Sequence, residues 1–362
     1  MALAIVAALS LLLAQAATST VAAIDPRWIV PFEAPPAAAA GFDATTAFVP
    51  LKGGQLVAVD LDLGTVRWRI DAPTLLTPAT GEGLVFIAAE STIQAFDAAT
   101  GAVRWRTALP GGPAAPLYWD TGWLIASTPG GDLVAFRSAD GTLVWRQALG
   151  SPLSTRPGPA LDRLYLALMD GRLLSIALAT GNTLWSRTVP GRVTGLLALD
   201  DQIVYGVSAR EVQSVDLLSG RERWKWRVGG DVAGLPAADD KRIYFAARDN
   251  LVRAVDRKSG NLRWQSPLPS RPSGGPLRVG SVVVVPFVSN ELAGFDPDTG
   301  KPALTIKAAG EIGAQPFLRT TARTTAPRLI TVSREGQLQG FGLRFEPPAT
   351  VMADLPGAPA TP

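Results

Sequence analysis

The chain of 362 residues contains no cysteine and no histidine. Disulfides, thiolate nucleophiles, zinc sites built from Cys or His, and Ser-His-Asp triads are therefore excluded. A lipid carried on cysteine has no attachment site in this sequence. Runs of one charge are missing too. The basic residues, mostly Arg, stand singly between apolar stretches, and the net charge is only +3 despite a pI of about 9.4. A nucleic-acid groove needs a basic stripe; none is legible, so nucleic acid is not an expected partner. Long helical periodicity is also absent after residue 24.

One long apolar run remains, residues 2–17 (ALAIVAALSLLLAQAA), followed by small residues. It is short for a membrane span and suits the apolar region of a secretory signal, with Ala14-Gln15-Ala16 and Val21-Ala22-Ala23 as cleavage-like sites. No Lys or Arg precedes it. Export to the periplasm or cell surface is expected, with an uncleaved anchor over 1–23 as the alternative. With 47% hydrophobic residues, 36 Gly and 30 Pro, the rest can bury a large core and must turn often.

Seven tryptophans, Trp28, Trp68, Trp105, Trp145, Trp185, Trp224 and Trp264, recur at intervals of 40, 37, 40, 40, 39 and 40 residues. A fixed period near 40 marks a repeat architecture, in which such residues are mortar before they are an active site. One unit is legible over 74–107. Leu75–Thr80 reads as a first strand, Leu84–Ala89 as a second, Thr92–Asp97 as a third and Val103–Thr107 as a fourth, with turn residues between. Four antiparallel strands per repeat make the blade of a β-propeller. In the turn, an Asp ending the third strand can accept N–H bonds from the residues after it, and a following Gly supplies positive φ. The Gly recurs at 64, 101, 141, 181, 220, 260 and 300, and the Asp at 60, 97, 216, 256 and 296, with Arg137 and Ala177 in its place twice. Third-strand units number eight, ending at Asp60, Asp97, Arg137, Ala177, Asp216, Asp256, Asp296 and Gly342. The eighth lacks a Trp strand, while Trp28 lies one period before Trp68 with no strands ahead of it. Asp25–Phe32 is therefore expected to close the ring as the outer strand of blade eight, removing a sheet edge. The expectation is an all-β, eight-bladed propeller over 25–345, with a Pro/Ala-rich, disordered tail over 346–362. Leu304 replaces Trp in the seventh repeat and predicts a weaker seam there.

Ala95-x-Asp97-x-x-Thr100-Gly101-x-x-x-Trp105 and Ala254-x-Asp256-x-x-Ser259-Gly260-x-x-x-Trp264 resemble the tryptophan-docking motif of the pyrroloquinoline-quinone (PQQ) repeat family, over roughly residues 25–343. The resemblance implies one of two branches. Quinoprotein alcohol dehydrogenases hold PQQ and calcium, but on much longer chains and with a vicinal Cys pair that this chain cannot form. The BamB-like branch uses eight blades as a non-enzymatic scaffold for outer-membrane β-barrel assembly. That branch fits the length, the blade count and the expected export. It implies protein partners, no cofactor, no catalytic residue, and a monomer with peripheral or no membrane contact. A free-standing peptide- or glycan-binding propeller is a further alternative.

In a propeller, the connections between blades share one face with the turns between second and third strands. That loop face collects Arg156, Arg192, Arg271 and Asp231 from inter-blade loops, and Lys52, Glu90, Asp132, Asp170, Arg210, Asp249 and Glu335 from the turns. Arg156, Arg192, Arg271, Asp231, Arg210, Asp170 and Asp249 are the candidate partner-binding residues, because loops on a rigid scaffold commonly carry binding. The same charges would also suit any solvated loop face. On the opposite face, Tyr118, Trp119 and Trp123 break the repeat, either as an exposed hot spot or packed under their own turn. Trp226 shares its strand face with Trp224 and is expected in a seam. Gly-, Ala- and Pro-rich first strands, such as Ser273-Gly274-Gly275-Pro276, suit crowding round an axis.

Overall fold

The computed structural model describes residues 21–319 and 328–345. The apolar segment through residue 20 and the tail over 346–362 lie outside them. Every regular element among the described residues is a strand, and the strands form eight four-stranded antiparallel sheets. Seven are consecutive in sequence: blades 1 to 7 span 41–71, 79–108, 118–148, 158–188, 193–227, 232–267 and 277–307. Blade 8 combines Phe317–Arg319, Arg328–Val332 and Gln337–Phe345 with the N-terminal strand Val21–Pro31 at its outer edge. Trp28 faces Gly340 across that last pairing, and Phe32 N–H donates to the Gly336 carbonyl at 2.8 Å. The ring closes as expected. Its last third strand runs on to Phe345 rather than ending at Gly342, because Val21–Ile24 pair with it beyond the expected closing segment.

First strands are shorter than the sequence suggests. In blade 2 only Ala79–Gly81 pairs as a strand, not Leu75–Thr80. Two features stop the ladder. Pro78 has no N–H to give, and Thr74 draws the chain into a local turn, its Oγ1 donating to the Ala88 carbonyl at 3.0 Å and accepting from Leu76 N–H at 3.1 Å.

The core consists of eight apolar clusters, one at each seam between blades. The tryptophans build seven of these seams. Each ring covers the turn glycine of the next blade: Trp28 on Gly64, Trp68 on Gly101, Trp105 on Gly141, Trp145 on Gly181, Trp185 on Gly220, Trp224 on Gly260 and Trp264 on Gly300. In all but Trp28 the indole N–H then donates across the seam to the carbonyl after the third strand. Trp105 reaches Ser138 at 2.9 Å and Trp264 reaches Pro297 at 2.8 Å, and Trp68, Trp145, Trp185 and Trp224 do likewise. Gly141 shows why the turn demands glycine: its φ is +73°, and a Cβ there would stand 2.6 Å from the Trp105 ring. The seventh seam shows why Leu304 stands in the ladder. Blade 8 joins its third and fourth strands through no turn, since one is the C-terminal strand and the other the N-terminal. Trp would have no turn glycine to cover there, and Leu304 packs instead beside Ile24, Leu277 and Leu318 in an apolar cluster.

Turn carboxylates are consumed locally. Asp97 Oδ1 accepts from the N–H groups of Ala99 (3.1 Å) and Thr100 (3.0 Å) and from the Thr100 hydroxyl (3.0 Å). That hydroxyl, with the backbone donors, holds the Asp97 carboxyl below its usual range. The Arg223 guanidinium and the Ser219 N–H bring Asp216 down to about 2, and Arg263 with Ser259 lowers Asp256 likewise. A carboxylate whose folded value lies below its unfolded 3.8 stabilises the fold fully above that value and progressively less as pH falls through the folded value. Thermal unfolding midpoints should therefore hold down to roughly pH 4 and fall between about pH 4 and 2, with Asp216→Asn declining less steeply. A wild-type midpoint unchanged at pH 2 would contradict this assignment.

Candidate functional site

First strands surround the axis and leave a channel. Its wider part opens on the loop face as a cavity of about 580 Å³, walled by small residues such as Ala40, Pro78, Ala114 and Ala115 with Leu117 and Leu153. Phe42, Thr80, Trp119 and Phe317 line both this cavity and a second one of about 410 Å³ toward the turn face, so they form the waist between them. The waist is built by packing. Phe42 and Phe317 stack with centroids 4.2 Å apart and planes 3° apart, and Thr80 Oγ1 donates to the Phe42 carbonyl at 2.6 Å. Trp119 covers Gly81 of the neighbouring blade, where a Cβ would collide with the indole. Tyr118 is buried, and Trp123 packs with it in the seam between blades 3 and 4. These rings pack, but across blade seams rather than under their own turn, and Trp119 also faces the channel. Trp226 also packs in a seam, edge-on to Phe245 at 6.3 Å.

The candidate charges divide into two sets. Arg192 and Asp231 meet in a third cavity of about 310 Å³, with Ser154, Ser208, Thr194 and Arg248. Arg271 immediately precedes Pro272 and Ser273 of the same wall. Local bonds set the geometry: Ser208 Oγ accepts from Arg192 N–H at 3.0 Å, and the Asp231 carbonyl accepts from Arg248 N–H at 2.8 Å. Arg156 lines the wider cavity, its guanidinium 5.0 Å from the Tyr118 ring centre. Burial pushes the Tyr118 phenol up, so it stays neutral beneath that cation. Arg210 stands apart at the exposed tip of blade 5, with φ +61°. Arg156, Arg192, Arg210, Arg248 and Arg271 are all exposed and form no ion pair with any described residue.

The second set is occupied. Asp170 pairs with Arg172 at 2.6 Å, and that guanidinium lowers its carboxyl pKa. Asp249 accepts from Arg253 at 2.6 and 3.1 Å and from Gly229 N–H at 3.0 Å. Burial opposes charge on Asp249, yet the Arg253 guanidinium holds it below the usual range. Arg253 is itself 5% exposed and lies 5.7 Å from the Trp226 ring centre, so this pair is internal structure. Arg248 was missed by the sequence reading, which took its neighbour Asp249. The available signal was Arg253, four residues on in the strand after the turn over 248–250 and placed to neutralise Asp249 while leaving Arg248 alone.

Charges on the turn face are largely spent within the fold. Arg319 is buried and grips Asp62 across the closing seam at 2.7 and 3.1 Å. Asp201 accepts from both Arg223 and Arg257 at 2.7 Å, and Arg242 pairs with Asp298 of the next blade at 2.5 Å. Among the described residues, no group of three or more acidic side chains converges where it could hold a metal ion. The two cavities offer guanidiniums, hydroxyls and a well of mixed polar and apolar lining.

A curated relative from Nitrosomonas eutropha, described as outer membrane protein assembly factor BamB, is 28% identical over 197 residues, covering 51% of this chain and 48% of that protein. The chain spans about half the length of the curated relatives it matches. Among solved structures, BamB from Moraxella catarrhalis superposes with a TM-score of 0.69 at 17% identity, covering 88% of this chain and 100% of that one. Quinohemoprotein alcohol dehydrogenase from Comamonas testosteroni gives 0.73 at 12%, covering 88% and 76%. At such identities both structures show a shared propeller fold alone. The family model described as outer membrane protein assembly factor BamB matches residues 17–217 and 175–334, and the chain belongs to that family.

Proposed function

We propose that this protein is a non-catalytic scaffold in the cell envelope, exported to the periplasm or cell surface, that holds protein partners during outer-membrane protein assembly. The loop face is the docking face, and the partner is a component of the β-barrel assembly machinery. One observation carries the choice of face. On the turn face Asp62, Asp201 and Asp298 are neutralised within or between blades by Arg319, by Arg223 and Arg257, and by Arg242, whereas the loop face leaves Arg156, Arg192, Arg210, Arg248 and Arg271 without ion pairs. Arg suits such a role because its planar fork binds carboxylates in bidentate fashion and is weakly hydrated. Family membership supports the assembly role, and the absence of cysteine weighs against the dehydrogenase branch, whose resemblance implies a vicinal Cys pair.

Affinity purification from the native envelope followed by mass spectrometry tests this reading. Wild-type protein should recover assembly-machinery components. The variant Arg192→Glu with Arg248→Glu should lose them by at least about tenfold, since reversing close charges converts attraction to repulsion. Both substitutions are exposed, so the unfolding free energy should stay within roughly 0.5 kcal/mol of wild type. Recovery of no assembly component by the wild-type chain would refute the scaffold reading and favour a free-standing peptide- or glycan-binding propeller.

A further inference from the structure

The cavity at the mouth of the channel and the arginine-walled cavity adjoin. Ser154 lines both, so the well of about 580 Å³ lies beside the polar annex of about 310 Å³. The well is floored by Phe42, Trp119 and Phe317, and the indole Nε1 of Trp119 has no hydrogen-bond partner among the described residues. The annex is lined by Arg192 and Arg248, by one acidic residue, Asp231, and by Ser208 and Thr194. Arg156 adds a further guanidinium on the well side of Ser154.

We propose that these two adjoining cavities receive an extended, acidic peptide segment of the partner, with an aromatic or branched apolar side chain inserted in the well and neighbouring carboxylates held by Arg192, Arg248 and Arg156. Three features support that occupant. A rigid well with an aromatic floor suits a single bulky anchor, the usual form of an interface hot spot. Guanidiniums with no internal ion pair favour carboxylates, which they bind as charge-assisted pairs. The far mouth directs entry to the loop face, because it presents Asp43 and Glu82 while its Arg319 is already bound to Asp62. Insertion past the waist would also break the stack of Phe42 on Phe317. The inference deepens the scaffold reading and rests on the same face, but it can fail independently.

The probe is a synthetic fluorescein-labelled peptide carrying one Phe followed by three Asp residues, titrated with the whole protein and read by fluorescence polarisation. Saturable binding is expected, weakened at least about tenfold when Phe becomes Ser, and likewise when the Asp residues become Asn. In the protein, Arg192→Glu with Arg248→Glu should weaken it similarly. So should Ala114→Trp, which fills the well from an exposed loop position whose N–H bond to the Ser127 carbonyl is kept. Circular dichroism and unfolding midpoints confirm that each variant folds. No saturable binding, equal binding of the Asn peptide, or unchanged binding by Ala114→Trp would overturn the proposal. Envelope capture separates the two readings. If Ala114→Trp still recovers assembly components, the scaffold stands without these cavities, and if wild type recovers none, the scaffold fails whatever the peptide does.

Discussion

Deleting residues 21–31 should abolish cooperative folding of the whole ring, although it removes only one strand at one edge. Three losses combine. The strand Gln337–Phe345 becomes an unpaired edge, and such edges template aggregation. The Trp28 ring leaves Gly64 and Gly340 uncovered, and losing a packed Trp side chain alone costs about 3–5 kcal/mol. Buried Val30 is lost from a cluster shared with Ala47, Val49 and Leu338. Together these approach the whole stability of a typical domain, roughly 5–15 kcal/mol. Size-exclusion chromatography should show aggregates or an expanded monomer, and adding the 21–32 peptide in excess should restore a folded monomer in proportion to its concentration. Trp28→Ala in the intact chain separates side chain from strand, and should lower stability by about 3–5 kcal/mol while the ring still closes. A truncated chain that unfolds at the wild-type denaturant midpoint would show that closure contributes nothing.

The second large effect lies at Asp249. Its substitution by Ala leaves the buried guanidinium of Arg253 without a counter-charge, and breaking a buried pair from one side costs about 3–5 kcal/mol. Adding Arg253→Met should recover most of that loss, because a well-packed apolar replacement of both partners is often nearly neutral. Methionine would also keep a flexible apolar contact with Trp226, over which the guanidinium now lies. The measurement is chemical denaturation of the two single variants, the double variant and the wild type. An Asp249→Ala protein of wild-type stability that loses partner capture would return Asp249 to the docking face and make the pairing incidental.

These contrasting arginines show where sequence reasoning ran out. Trp spacing, turn glycines and turn carboxylates were legible because each acts through residues a few positions away or one blade on. The vacancy at Leu304 was legible as an irregularity but not as its cause. Only the topology shows that blade 8 has no third-to-fourth turn for a tryptophan to cover. At the site, Arg192, Asp231 and Arg271 were found from their loop positions, whereas Ser154, which lines both cavities, carried no signal at all. Asp249 and Asp170 looked equivalent to the free charges in sequence. Their partners Arg253 and Arg172 lie four and two residues on, in the strands that follow, and pairing depends on side-chain direction and burial rather than on residue type.

The sequence by itself determined the strand pattern, the number of blades, the identity of the closing strand and the face on which loops collect. Those follow from backbone-level rules: side chains alternate along a strand, turns need residues that tolerate positive φ, and a repeated Trp must dock on a repeated groove. Tertiary structure decided which charges remain available, and that the channel narrows at Phe42, Trp119 and Phe317 before opening beside Arg156, next to the cavity lined by Arg192 and Arg248. Electrostatic and packing energies depend on distances through space. In a closed ring those distances join residues from opposite ends of the chain, which no local pattern records.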